Sequence, residues 1–193
     1  MATQDQEIID YLEESASVME GLVRELDKIR KATAMCCYCL ENAGKIIFCG
    51  NGGSAAEAQH LSAELMGRFL IDRKPLASLS LTVDTSAISA IGNDYGFEEI
   101  FARQLEGVGN PGDVIIGLST SGNSLNIAKA FEIAKQKNMT CILFSGDTVG
   151  NIDKKSDLII RTPSKQTNFI QEGHLVFGHL LCKLIEGHFY ANT

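Results

Sequence analysis

The chain has 193 residues, 45% hydrophobic and 21% charged, with 17 basic against 24 acidic side chains and a formal net charge of −7. That length suits one domain able to bury roughly 70% of the surface its unfolded chain exposes, and the composition excludes a disordered or low-complexity chain. The acidic balance, without a basic stripe, argues against a nucleic-acid surface, while the lack of any apolar run near ~20 residues and the acidic start MATQDQEIIDYLEESA point to a cytoplasmic protein with no membrane span.

From Gln4 to about Arg30, Ile8, Leu12, Met19, Leu22, Leu26 and Ile29 recur largely three and four apart, which predicts one long helix with a wide apolar face. A second helix is predicted from about Ala32 to Asn42, with Gly44 as its left-handed stop. Six cysteines, three of them in CCYC at 36–39, lie mostly in apolar surroundings. No second cysteine pair completes a four-ligand site, so they read as reduced core thiols.

Short apolar segments then alternate with helical ones: strands at 45–49, 77–83, 113–119, 141–146 and 157–162, and helices at about 54–69, 85–91, 98–107, 124–137 and 169–189. This alternation predicts an α/β fold, a doubly wound five-stranded parallel sheet flanked by helices, with an N-terminal helical hairpin. The first helix has more apolar face than so small a domain can cover, which suggests an oligomer interface.

Ligands bind such sheets beyond the carboxyl ends of the strands, where successive crossovers part to opposite faces. Two strand-to-helix turns there have suitable chemistry. GNGGS, Gly50 to Ser54, allows close backbone approach, and Ser54 with Glu57 reads as a capping box. STSGNS, Ser119 to Ser124, brings four hydroxyls to a helix start. Free N–H groups and the helix dipole suit a phosphate monoester, whereas the Walker ending and the Gly-x-Gly-x-x-Gly spacing of nucleotide loops are missing. The pair favours a sugar phosphate.

Downstream of the first turn, His60 and Glu64 are i and i+4 and share a helical face. On an isolated helix such a pair faces solvent; beside a phosphate-type turn it becomes a candidate for chemistry. In the last helix His174 and His179 point about 140° apart, so one of them at most faces a site. His188, near that helix's carboxyl end, suits the dipole and needs no function.

The blocks CGNGGSAAEAQHLSAEL, GNDYGF, STSGNS and IQEGH, in this order, resemble the sugar isomerase (SIS) domain family, specifically its phosphoheptose isomerase branch. The resemblance covers the chain from first helix to last. It implies one SIS domain over 1–193, with oligomerisation helices in 1–43 and the α/β core in 44–193. It also implies interconversion of D-sedoheptulose 7-phosphate and D-glycero-D-manno-heptose 7-phosphate, a step toward heptose for lipopolysaccharide or other surface glycans, by a homotetramer holding a zinc ion. Carried over by position, Ser54, Ser119, Thr120, Ser121 and Ser124 match phosphate-binding hydroxyls, and Asn51, Gly52, Gly53, Asn93, Asp94 and Gln171 match sugar contacts. His60, Glu64, Gln171 and His179 match metal ligands. Glu64, which also meets substrate, and His179 match the acid and base, leaving His174 as a packed or surface residue.

Phe169 departs from the resemblance, standing where arginine is usual, which weakens polar contacts at this edge. Two other readings are a non-catalytic SIS adaptor of the replication initiator and a different SIS sugar-phosphate enzyme. The adaptors lose the positions of Glu64 and His179, and this chain keeps both. Ser54 and Glu64 stand about 15 Å apart along one helix, and Gln171 and His179 about 12 Å apart along another, so a site shared between subunits is expected.

Overall fold

Three segments, Ile46–Gly50 (β1), Val114–Ser119 (β3) and Thr140–Ser145 (β4), are almost wholly apolar and buried along their length, as strands covered on both faces must be. With Ser78–Ser80 (β2) and Leu158–Arg161 (β5) they form a five-stranded parallel sheet of order β2-β1-β3-β4-β5. Ile46 lies beside Val114, and Val114 beside Thr140. The structure is a computed structural model and describes residues 2–190. Its helices are α1 (Ala2–Gly21), α2 (Leu26–Glu41), α3 (Gly53–Met66), α4 (Thr85–Tyr95), α5 (Ile100–Val108), α6 (Leu125–Gln136) and α7 (Thr167–Tyr190).

The pleat divides the core into two. Ile46, Phe48, Val114, Ile116 and Phe144 point to the face covered by α2, α3 and α7. Ile47, Cys49, Ile115, Cys141 and Leu143 point to the face covered by α5 and α6. All six cysteines are free and buried, as the sequence predicts.

Four local expectations are corrected. The N-terminal helix breaks in a 3-10 turn at Leu22–Glu25 rather than near residue 31. Gly21 passes so close to Pro163 that a Cβ there would meet its Cγ at 2.8 Å, Leu22 enters the core, and Glu25 accepts the Arg161 backbone N–H at 3.1 Å. The bend therefore falls where the chain docks on the β5 edge. After α2 the left-handed residue is Ala43, φ 58°, and not Gly44, whose missing side chain instead makes room for Cys39 Sγ. Ser54 does not cap α3; that position belongs to Gly52, φ 56°, because the glycine turn continues one residue into the helix start. β2 is only three residues long, shorter than the 77–83 expected.

Glu186, on α7 and 1% exposed, fastens the segment that follows α3. It accepts the backbone N–H groups of Phe69, Leu70 and Ile71 at 3.1, 2.7 and 3.0 Å and Arg73 Nε at 2.8 Å. Burial raises its pKa, but the backbone bonds and the guanidinium outweigh it, so the carboxyl lies below its ordinary value. A carboxyl more acidic in the folded than in the unfolded chain stabilises fully above its unfolded value of about 4.3, and that contribution fades as pH falls through the folded value. Glu186→Gln is expected to cost about 3 kcal/mol at neutral pH, since it strands a buried guanidinium. It should also flatten the loss of stability below pH ~4.3. Urea unfolding of both proteins across pH checks this; equal stability at pH 7 would refute it.

Candidate active site

The switch in crossover direction falls between β1 and β3. From β1 the chain enters α3 on one face, and from neighbouring β3 it enters α6 on the other. The two turns singled out by sequence thus stand side by side beyond the strand ends. They are tied by a reciprocal amide pair: Asn51 Nδ2 donates to Asn126 Oδ1 at 2.9 Å, and Asn126 Nδ2 donates to Asn51 Oδ1 at 2.8 Å. In the first turn Gly52 adopts φ 56°, a conformation open chiefly to glycine, and a Cβ on Gly53 would lie 2.5 Å from Gln171 Nε2. In the second, the Ser119 and Ser124 hydroxyls bond each other at 3.0 Å, and Ser121 Oγ accepts the Asn123 backbone N–H at 3.2 Å.

Beside this second turn lies a cavity of about 320 Å³ whose wall includes Thr120, Ser121, Thr148, Lys165 and Thr167. Ser54 is buried at 4% exposure in the first turn of α3. Asn93 and Asp94 lie in the last turn of α4, exposed, with the Asn93 amide donating to Asp94 Oδ1 at 2.8 Å.

The second cluster forms where α3 packs on α7. Gly178 has no side chain at the crossing, and a Cβ there would meet Leu61 Cδ2 at 2.4 Å. This close approach sets His179 Nε2 2.7 Å from His60 Nε2, while Glu64 Oε1 is 3.4 Å from the same nitrogen. One ligand atom from each residue lies within 4.8 Å of the others. Two imidazole nitrogens and a carboxylate oxygen, partly accessible, fit the donor set of a catalytic metal centre that keeps a position for substrate. Burial, and next the adjacent His60, hold the His179 ring below the usual histidine pKa against the opposing pull of Glu64. Phe69 stacks on His179, ring centroids 5.5 Å apart at 24°. Gln171 stands two turns earlier on α7, its amide against Gly53.

His174 is fully buried under Phe144, as a packed residue, and burial pushes its pKa down to about 4. His188 bonds Glu41 at 2.6 Å away from the cluster. Sequence reasoning did not single out Asn126, Thr148, Lys165 or Thr167. Asn126 left a signal, an amide in the apolar face of α6, where it is 3% exposed. Glu57, expected to complete a capping box with Ser54, is partly buried instead: burial pushes its carboxyl up to about 7 against the opposing Ser54 hydroxyl, and its Oε2 is buried without a partner among the described residues.

The SIS domain family model matches residues 10–146, and the doubly wound sheet with hydroxyl-rich turns at its switch point is in keeping with that class. A phosphoheptose isomerase of Akkermansia muciniphila is 49% identical over 176 residues, covering 91% of this chain and 93% of that protein. One of Campylobacter jejuni is 53% identical over 159 residues, covering 82% and 86%. Among solved structures, a phosphoheptose isomerase from Francisella tularensis superposes with a TM-score of 0.91 at 36% identity, covering 96% of this chain and 98% of that one. The chain belongs to the SIS domain family and, within it, to the phosphoheptose isomerases.

His60→Ala is expected to weaken divalent-metal binding by more than about tenfold, because even residues that merely support a ligand are worth that much. Titration calorimetry with zinc on both proteins reads this. Equal affinities would remove His60 from the ligand set.

Proposed function

We propose that the chain interconverts D-sedoheptulose 7-phosphate and D-glycero-D-manno-heptose 7-phosphate in heptose biosynthesis. The carrying observation is the convergence of His60, Glu64 and His179 in a chain whose switch point also presents the hydroxyl turns. The phosphoheptose isomerase relatives support the substrate. The adaptor reading loses ground because both residues it lacks are present here and in one cluster.

Isomerisation moves a proton between C2 and C1 and exchanges the carbonyl between them through an enediolate. It needs a base for the carbon proton, an acid for the oxygens, and stabilisation of negative oxygen. Glu64 and His179 take the first two parts: one removes the C2 proton of the aldose and returns it at C1, while the other moves a proton from the C2 hydroxyl to the C1 oxygen. We assign zinc to His60, Glu64 and His179, with Gln171 from α7 as a further ligand and sugar contact. The chemistry a bound zinc supplies is polarisation of the carbonyl. Ser54, Ser119, Thr120, Ser121 and Ser124 hold the phosphate end, and Asn51, Gly52, Gly53, Asn93 and Asp94 flank the sugar.

We further read the chain as a cytoplasmic homotetramer with sites shared between subunits. Support comes from α1, where Ile8, Ile9 and Leu12 remain 55%, 47% and 62% exposed. Sedimentation of the purified chain should give four times its 20.9 kDa mass; a monomer would refute the assembly.

Glu64→Gln and His179→Gln are each expected to lower turnover at least ~100-fold with the fold and phosphate binding intact. Incubation with sedoheptulose 7-phosphate, followed by NMR, measures it. Near-normal turnover in both variants would overturn the mechanism.

A further inference from the structure

We infer that Lys165 is the cationic contact for the substrate's phosphate, and that the segment entering α7 forms the second wall of the phosphate site. The inference rests on the isomerase reading and adds a residue to it. A phosphate monoester carries close to two negative charges at neutral pH, and this chain has a net charge of −7. Hydroxyls and backbone amides of the 119–124 turn supply donors but no formal charge, so an anion held there gains most from a lysine or arginine on the same wall.

Lys165 is that residue. It lines the 320 Å³ cavity together with Thr120 and Ser121, and it is the charged side chain of that lining among the described residues. Its ammonium has no hydrogen bond or ion pair with any described residue. The neighbouring cation Arg161, which donates to the Thr148 carbonyl of that wall, is engaged by Asp153. A lysine already neutralised by a carboxylate would contribute little to a dianion; Lys165, exposed on the cavity wall and without such a partner, keeps its charge for the ligand, screened by salt as any exposed charge is.

The backbone on both sides of Lys165 is fixed, so its direction of approach does not depend on a loose loop. The buried Ser164 donates its N–H to the Thr162 carbonyl at 2.8 Å, accepts Asp147 N–H at 2.9 Å, and receives Gln166 N–H on its hydroxyl at 3.1 Å. Thr167 then starts α7 on the same cavity wall. Phosphate is thereby gripped between two segments that follow different strands, β3 and β5.

The test compares wild type with Lys165→Met and Lys165→Arg. A charge-assisted contact is worth about ten- to a hundredfold in affinity. Lys165→Met should raise KM for sedoheptulose 7-phosphate by that factor and by far more than it lowers kcat, and should weaken inorganic phosphate binding, read by phosphorus NMR, to the same extent. Lys165→Arg should restore both, and the rise of the wild-type KM with ionic strength should shrink in Lys165→Met. Unchanged KM and phosphate affinity in Lys165→Met overturn the inference. A wild type that binds phosphate through Lys165 yet leaves sedoheptulose 7-phosphate unconverted refutes the isomerase reading and retains the phosphate contact.

Discussion

Everything at the site depends on two parallel strands, β1 and β3, lying side by side while their following helices leave to opposite faces of the sheet. A parallel ladder aligns the carboxyl ends of neighbouring strands, so Gly50 sits opposite Leu118 and both turns open into one crevice. The Asn51–Asn126 pair joins those turns across the gap, with the amide nitrogen and the amide oxygen of each partner engaged. With Asn126 buried and Asn51 half-buried, the pair is costly if half made, so it holds the two turns in one arrangement.

The same dependence on close packing governs the His60, Glu64, His179 cluster. Its geometry follows from a missing side chain at Gly178, which lets α7 settle on Leu61 of α3. Farther along, Glu186 of α7 and Arg73 bind the chain that leaves α3, and Arg73 also donates to the Glu64 carbonyl at 2.9 Å. The clamp therefore holds the helix end that carries Glu64 and the segment that carries Phe69, whose ring lies on His179. Stability and site geometry rest on one helix pair.

Phe169 finds its explanation on the other side of α7. It is 1% exposed, beneath the Tyr11 ring at 4.9 Å. The Tyr11 hydroxyl donates to Glu172 at 2.8 Å, and Ser15 donates to the same carboxylate at 2.6 Å. An aromatic side chain here docks α1 against the start of α7, burying area where an arginine would offer charge. The Phe169 ring packs under Tyr11 while Tyr11 and Ser15 bond Glu172, and together these contacts steady the segment carrying Gln171.

The sequence alone determined what is local. Apolar runs marked the strands, their alternation with helical segments marked a parallel sheet, and glycine- or hydroxyl-rich turns marked the ligand edge. The i, i+4 spacing of His60 and Glu64 put them on one face because four residues are about one helical turn. The order of the blocks carried the family resemblance. Tertiary structure alone decided which distant groups meet: His179 beside His60 across 119 positions, Asn126 beside Asn51 across 75, and Lys165 beside Thr120 at one cavity. It also moved the first helix break to Leu22, where docking on β5 outweighs a periodicity that continues through the bend. Periodicity records which face of an element is apolar, whereas the distance between two faces is set by whatever side chain, or absence of one, lies where they cross.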